Sequence, residues 1–109
     1  MSNWSLRLAK SEDAESFHAV EEDAASLLHE APSLQGIPVP PSTSAADYRK
    51  LIGKGHCLSA DIGEQVVGFA AAGPLKHELH LNEISVRRAY QGKGIGGALL
   101  EALDRKSVV

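Results

Sequence analysis

The sequence contains little of what marks a secreted, membrane or nucleic-acid-binding protein. Its single cysteine, Cys57, cannot form an internal disulfide, which favours a reducing compartment, the cytoplasm. Aromatic residues make up only 5%, too few for a platform that stacks bases, and the net charge of −3 gives no basis for binding nucleic acid or an anionic membrane. No apolar run approaches the roughly 18 residues of a membrane span, and the N-terminus lacks a signal-peptide core.

The composition that remains is that of one small globular domain. The chain has 109 residues, of which 43% are hydrophobic and 23% charged, enough for a single core. Hydrophobic spacing predicts the order β-α-α-β-β-β-α, an α/β fold with a mixed α+β sheet. The expected strands cover 4–8, 56–62, 65–72 and 78–86; the expected helices begin at caps Ser11 and Ser44 and at Gly96. The segment from Pro32 to Ser44 holds four of the five prolines and is expected to be a loop.

A glycine-rich run, Gln91 to Gly97, connects the last predicted strand to the last helix. Such a turn directs backbone N–H groups at the positive end of a helix dipole, which suits phosphate. The Walker A string is absent. The GxGxxG spacing of Gly92, Gly94 and Gly97 lacks the context of a dinucleotide fold, because it follows the fourth strand rather than the first. A third pattern, Gln-x-x-Gly-x-Gly, is matched by Gln91, Gly94 and Gly96.

The residues around this turn resemble the GNAT superfamily of acyl-coenzyme A-dependent N-acyltransferases. The string LNEISVRRAYQGKGIGGALLEAL is similar to the central motif of that family over about residues 78–105, and the upstream element order agrees. The resemblance implies transfer of an acetyl group from acetyl-coenzyme A (acetyl-CoA) to a primary amine of a small molecule, protein or peptide. Direct attack with a general base is the implied mechanism, and no metal is needed.

The resemblance also implies which residues hold the cofactor. The glycine turn would bind the pyrophosphate, Lys93 would add charge at the rim, and the backbone of the fourth strand would pair with the pantetheine arm. The implied set is Ile84, Ser85, Val86, Gln91, Gly92, Lys93, Gly94, Ile95, Gly96 and Gly97. An ordinary flexible turn is the alternative, but this many glycines would cost entropy without purpose.

Two residues of the fourth strand, His80 and Glu83, are the candidate catalytic groups. Both fall where members of the family carry a base. An unbulged strand would direct them to opposite faces; the family has a bulge in this strand that could change that, and the sequence does not give its position. The competing interpretations are a surface or capping histidine and an ion pair of Glu83 with Arg87 or Arg88. The histidines, at 18, 29, 56, 77 and 80, show no metal-ligand spacing.

The acidic run from Glu21 to Asp23 also allows two interpretations. In the family the first helix borders the acceptor site, where acidic groups would favour a cationic amine; a solvated helix face is the simpler reading. Cys57 is expected to be a core residue, and Tyr90 to contribute packing rather than acid catalysis.

The sequence departs from the family at its end. Members continue with a further strand and helix after the helix that follows the glycine turn, whereas this chain reads Asp-Arg-Lys-Ser-Val-Val after Leu103. Residues 1–109 are therefore expected to form a single, incomplete domain, truncated after the third helix. Because the fourth strand would be an open edge, a homodimer or pairing with a missing C-terminal segment is expected. The alternative function is a truncated or degenerate module that binds CoA or assists assembly without turnover.

Overall fold

The computed structural model describes residues 3–30, 43–75 and 78–107, which build one antiparallel sheet covered by helices on both faces. The strands lie in the order β1-β2-β3-β4, with β1 at Ser5–Leu8, β2 at Cys57–Ile62, β3 at Gln65–Leu75 and β4 at Glu78–Val86. The helices are α1 at Ala14–Glu30, α2 at Ala45–Gly53 and α3 at Ile95–Ser107. Short 3₁₀ turns occupy Ser11–Asp13 and Arg88–Tyr90.

The observed element order confirms the order predicted from hydrophobic spacing. β1, β2 and α3 each begin one residue from the predicted start, and the first helix cap and the end of β3 are also corrected. The N-cap predicted at Ser44 is confirmed, because its hydroxyl accepts from the Asp47 N–H at 3.1 Å. Ser11 is not a cap: the first turn is 3₁₀ and Lys10 takes the capping position. β3 continues through Gly73 and Pro74, where it was expected to end. This extension is possible because pairing with β2 ends at Ala71, so Pro74 needs no donor on that side.

Two hydrophobic layers hold the sheet, one on each face. α1 and α2 cover one face through an aromatic cluster. Phe17 stacks on Phe69 with the ring centroids 4.4 Å apart, and Tyr48 contacts both rings edge-on. Cys57 is buried in this layer, as predicted. α3 covers the other face through Ile95, Leu99 and Leu103.

Leu100 differs from the other leucines of α3. It is 47% exposed, because it lies about 100° around the helix from the buried Leu99. Most of the predicted proline-rich loop, including Pro32, Pro38, Pro40 and Pro41, falls outside the described residues, as does His77. In residues 3–30, 43–75 and 78–107, no helix is long and apolar enough to cross a membrane.

A charged network connects β1, the first 3₁₀ turn and β2. The Arg7 guanidinium donates both Nη atoms to Asp13, at 2.8 and 3.0 Å, and its Nε to Asp61 at 2.6 Å. Asp13 also accepts the Lys10 N–H at 2.7 Å, and its side chain is only 8% exposed. These donors favour the charged carboxylate, and the Arg7 hydrogen bonds hold the pKa of Asp13 below its usual value of 3.8.

This network predicts a loss of stability in acid. Because the folded pKa of Asp13 is depressed, its contribution is present above pH 3.8 and is lost as pH falls further, when the unfolded chain binds more protons. Asp13→Asn should lower the free energy of unfolding at pH 7 by about 2 kcal/mol and flatten its decline in acid. Urea unfolding between pH 7 and pH 3 measures both. Glu12→Gln, on the same turn but exposed, is the control; equal pH slopes for wild type and Asp13→Asn would contradict the assignment.

Candidate active site

A cavity of about 910 Å³ lies between α1, the end of β4 and the start of α3, large enough for a cofactor-sized ligand. The described residues that line it are Glu21, Ala24, Ala25, Thr43, Glu83, Ile84, Ser85, Val86, Tyr90, Gln91, Gly92, Gly94, Ile95, Gly96, Gly97 and Leu100. Of the implied cofactor residues, all but Lys93 are in this set. Lys93 is exposed on the turn. The structure thus brings the predicted strand and the predicted turn to one cavity.

The turn at one end of the cavity has the conformation that its glycines allow. Gly92 and Gly94 have φ of +78° and +89°, a region that residues with a side chain rarely adopt. The Gly94 carbonyl accepts the first helical hydrogen bond from the Ala98 N–H at 3.0 Å. The N–H groups of the next residues have no acceptor within α3 and lie at the positive end of its dipole. This end of the cavity therefore suits a phosphate group.

Hydrogen bonds from three other elements hold the turn in place. Gln91 donates its side-chain Nε2 to the Val86 carbonyl at 3.0 Å, and the Arg87 N–H donates to Val67 at 2.8 Å. From α1, Asp23 accepts the Arg88 N–H at 2.7 Å. Arg88 begins the 3₁₀ turn that leads from β4 to the glycines. Sequence reasoning missed the role of Asp23 because its partner lies 65 residues away.

A bulge in β4 decides where the two candidate catalytic residues lie. Ala71 pairs with Glu83 while Ala72 pairs with Leu81, so Asn82 is the extra residue of β4. Since His80 is opposite Gly73 and Glu83 is opposite Ala71, both lie on the face covered by α1 and α2. The opposite orientation expected of a regular strand is therefore not what the structure has.

Sharing a face does not give these two residues the same surroundings. Glu83 lines the cavity, and its Oε2 accepts the Ser85 hydroxyl at 2.6 Å. Arg87, one of its suggested ion-pair partners, donates its Nε to the Val66 carbonyl instead. His80 is exposed and is not among the described lining residues. The geometry therefore favours Glu83 over His80 as the group that meets a ligand.

A second carboxylate, Glu21, reaches the cavity from α1. Its Oε1 accepts the Thr43 N–H at 3.1 Å and also the hydroxyl of Tyr48 on α2. Burial is the main cause that raises the pKa of Tyr48, and the charges of Glu21 and Glu83 add to it. Sequence reasoning favoured a solvated face here, although Glu21 lies four positions after the buried Phe17, which was an available signal.

No described group of three or more His, Cys, Asp or Glu side chains is arranged to hold a metal ion.

Tyr90 lines the cavity and packs, partly buried, against the α3 layer, in agreement with its predicted packing role. The cavity thus combines amide donors at one end with carboxylates at the other.

An antiparallel sheet with a glycine turn between its last strand and the following helix is the fold of the N-acetyltransferase class. The sequence model of the acetyltransferase (GNAT) domain matches residues 53–108. The chain belongs to this family. The matched segment runs from the end of α2 through α3 and contains every predicted site residue, whereas Glu21 and Tyr48 lie outside it.

Solved structures share this fold. The PaiA N-acetyltransferase of Thermoplasma acidophilum, crystallised with CoA, has a TM-score of 0.75 at 18% identity, covering 97% of this chain and 74% of that one. The diaminobutyrate acetyltransferase EctA of Paenibacillus lautus, in complex with L-2,4-diaminobutyric acid and CoA, scores 0.72 at 19% identity, covering 94% and 57%. Ard1 of Thermoplasma volcanium scores 0.71 at 17% identity, covering 94% and 62%. The chain thus spans about three-fifths of the length of the last two.

Proposed function

We propose that this chain transfers an acetyl group from acetyl-CoA to a primary amine. The observation that carries the proposal is one cavity lined both by the glycine turn, at the start of α3, and by the Glu83 carboxylate on β4. Membership of the acetyltransferase family supports acyl transfer, and relatives crystallised with CoA support the choice of cofactor.

The residues present fit CoA in two places. The turn from Gly92 to Gly97 would receive the pyrophosphate, with Gln91 bracing the turn from β4 and Lys93 adding charge from outside. β4 is the outer strand of the described sheet, so an extended pantetheine arm would pair with those backbone groups of Ile84, Ser85 and Val86 that face away from β3. The Val86 carbonyl already accepts from Gln91. The thioester would then lie near Glu83, which precedes this stretch.

The reaction needs a proton acceptor for the incoming ammonium group. Glu83 would take that proton, and the neutral amine would attack the thioester carbonyl. A C–N bond forms, the C–S bond breaks, and the CoA thiolate leaves and takes up the second proton, which the attacking nitrogen loses as it becomes an amide. Ser85, which donates to Glu83, would orient the carboxylate. His80 is the second candidate base, on the same face of the sheet but more exposed.

A thiol-release assay tests this function. The 109-residue chain is mixed with acetyl-CoA and a panel of amines: small mono- and diamines, a peptide with a free N-terminus and one with a lysine. We expect one thiol released for each acetylated amine found by mass spectrometry. Calorimetric titration with CoA separates the alternative, because a binding module without turnover would bind CoA and release no thiol. Neither binding nor turnover would contradict both functions.

Three further expectations accompany the proposal. β4 exposes one edge in the described sheet, and such edges tend to pair, so we propose a homodimer or a complementing C-terminal segment. The fold carries no information on location; a cytoplasmic one is proposed from the single cysteine. Nothing in the proposed chemistry calls for nucleic acid, a membrane or a metal.

A further inference from the structure

Acidic side chains and main-chain hydrogen-bond donors line different parts of the cavity. Among the described lining residues, the charged side chains are Glu21 on α1 and Glu83 on β4, both acidic. The glycine turn contributes main-chain donors from the other end. An anionic group is therefore favoured at the turn, and a cationic group is favoured where the two carboxylates line the wall.

Glu21 is held more firmly than a carboxylate on a solvated helix face. One of its oxygens, Oε1, accepts from both the Thr43 N–H and the Tyr48 hydroxyl. Tyr48 is fully buried in the aromatic cluster with Phe17 and Phe69, so its hydroxyl has a fixed position. In the described part of the chain, no recorded hydrogen bond reaches the other oxygen, Oε2. A carboxylate held in this way loses little further freedom when it binds a ligand.

The neighbouring Glu22 shows what an ordinary acidic residue of α1 looks like. Its side chain is 60% exposed and pairs with His18 on the same helix, at 2.8 Å. It does not line the cavity. The difference between Glu21 and Glu22 comes from the helix: Glu21 follows the buried Val20 and lies one turn beyond Phe17, at the border of the buried face.

We propose that Glu21 determines acceptor specificity by binding a second cationic group, so that the acceptor is a diamine or polyamine. The inference rests on the proposed function: one nitrogen is acetylated beside Glu83 while another stays protonated against Glu21. Tyr48 is a positioning residue, since its hydroxyl holds the Glu21 carboxylate in place. Glu21→Gln removes the charge but keeps an oxygen that can accept from Thr43 and Tyr48.

The test compares two acceptors of equal length, 1,4-diaminobutane and 1-aminobutane. We expect kcat/KM of the wild-type chain to favour the diamine by about 10- to 100-fold, the range for a hydrogen bond to a charged group. Glu21→Gln should abolish that preference, mainly by raising KM for the diamine, with a much smaller effect on KM for the monoamine, which has no second ammonium group. Tyr48→Phe should reduce the preference partially. Glu22→Gln, with the same loss of charge, should keep it.

A binding measurement keeps the inference testable without turnover. Calorimetry of each amine, with the free chain and with the chain saturated with CoA, should show preferential binding of 1,4-diaminobutane that Glu21→Gln removes. Equal binding of the two amines by the wild type, or an equal loss for both in Glu21→Gln, would overturn the inference. Preferential binding without any thiol release would contradict the proposed reaction but support the role of Glu21.

Discussion

Replacing Gly94 with aspartate is expected to lower CoA affinity by about 100-fold or more, which corresponds to about 2.7 kcal/mol of binding free energy. The residue lies in the cavity wall at φ +89°, and an added Cβ there meets no atom within 4 Å. The carboxylate would repel the phosphates of CoA, and a side chain at this φ would distort the turn that directs the amides. Calorimetric titration with CoA, accompanied by thermal unfolding, measures the effect.

Gly55→Asp is the matched control for that experiment. Gly55 has a similar φ of +84° and equally open space, but it follows α2 and does not line the cavity. Both variants should lose about 1–2 kcal/mol of stability from the strained backbone. Only Gly94→Asp should lose CoA. Undiminished affinity in a folded Gly94→Asp protein would remove the claim that this turn binds the cofactor.

Glu83→Gln is expected to lower kcat by about 100-fold or more, since a general base contributes about 10²–10⁴ in rate. The amide keeps the size of the side chain and can still accept from the Ser85 hydroxyl, 2.6 Å away in the native protein. CoA affinity should therefore stay unchanged, because the predicted contacts with the cofactor use the backbone of β4 and the turn. Steady-state kinetics with saturating acetyl-CoA give the comparison.

Two further variants decide whether the loss is specific to Glu83. Glu64→Gln removes a carboxylate from the exposed turn between β2 and β3 and should leave kcat unchanged. His80→Gln tests the other candidate on the same face. A large loss of kcat in His80→Gln with none in Glu83→Gln would assign the base to His80 and contradict the proposed role of Glu83.

Much of the fold was predictable because it follows from local sequence. The bounds of β4 were predicted residue for residue, and the Ser44 cap was recognised from its own segment. The predicted end of β3 was wrong because Gly73 and Pro74 usually interrupt a strand. Pairing with β4 overrides that tendency, since Pro74 needs no hydrogen bond to β2. Local propensity could not supply this information.

In the candidate site, too, residues close together in the sequence were predicted and residues with distant partners were not. Residues of the turn follow each other in the chain, so the family resemblance implied them as a group, and all of them except Lys93 line the cavity. Glu21 and Asp23 were not assigned to the site, because their partners lie 22 to 65 residues away. Whether His80 and Glu83 share a face was left open by the sequence, because the answer depends on a long-range feature, the register shift between β3 and β4.

The sequence by itself determined the family, the order of elements and the glycine turn, because each is written in contiguous residues whose spacing has a direct physical meaning. Only the tertiary structure decided which side chains meet. In the folded domain, Asn82 forms the bulge of β4, and His80 is not among the described residues that line the cavity. The carboxylate of Glu21 lines the same cavity as Glu83. Those outcomes depend on the register of β4 against β3 and on the packing of α1 and α2 against the sheet, where contacts between distant residues are made only when the whole domain folds.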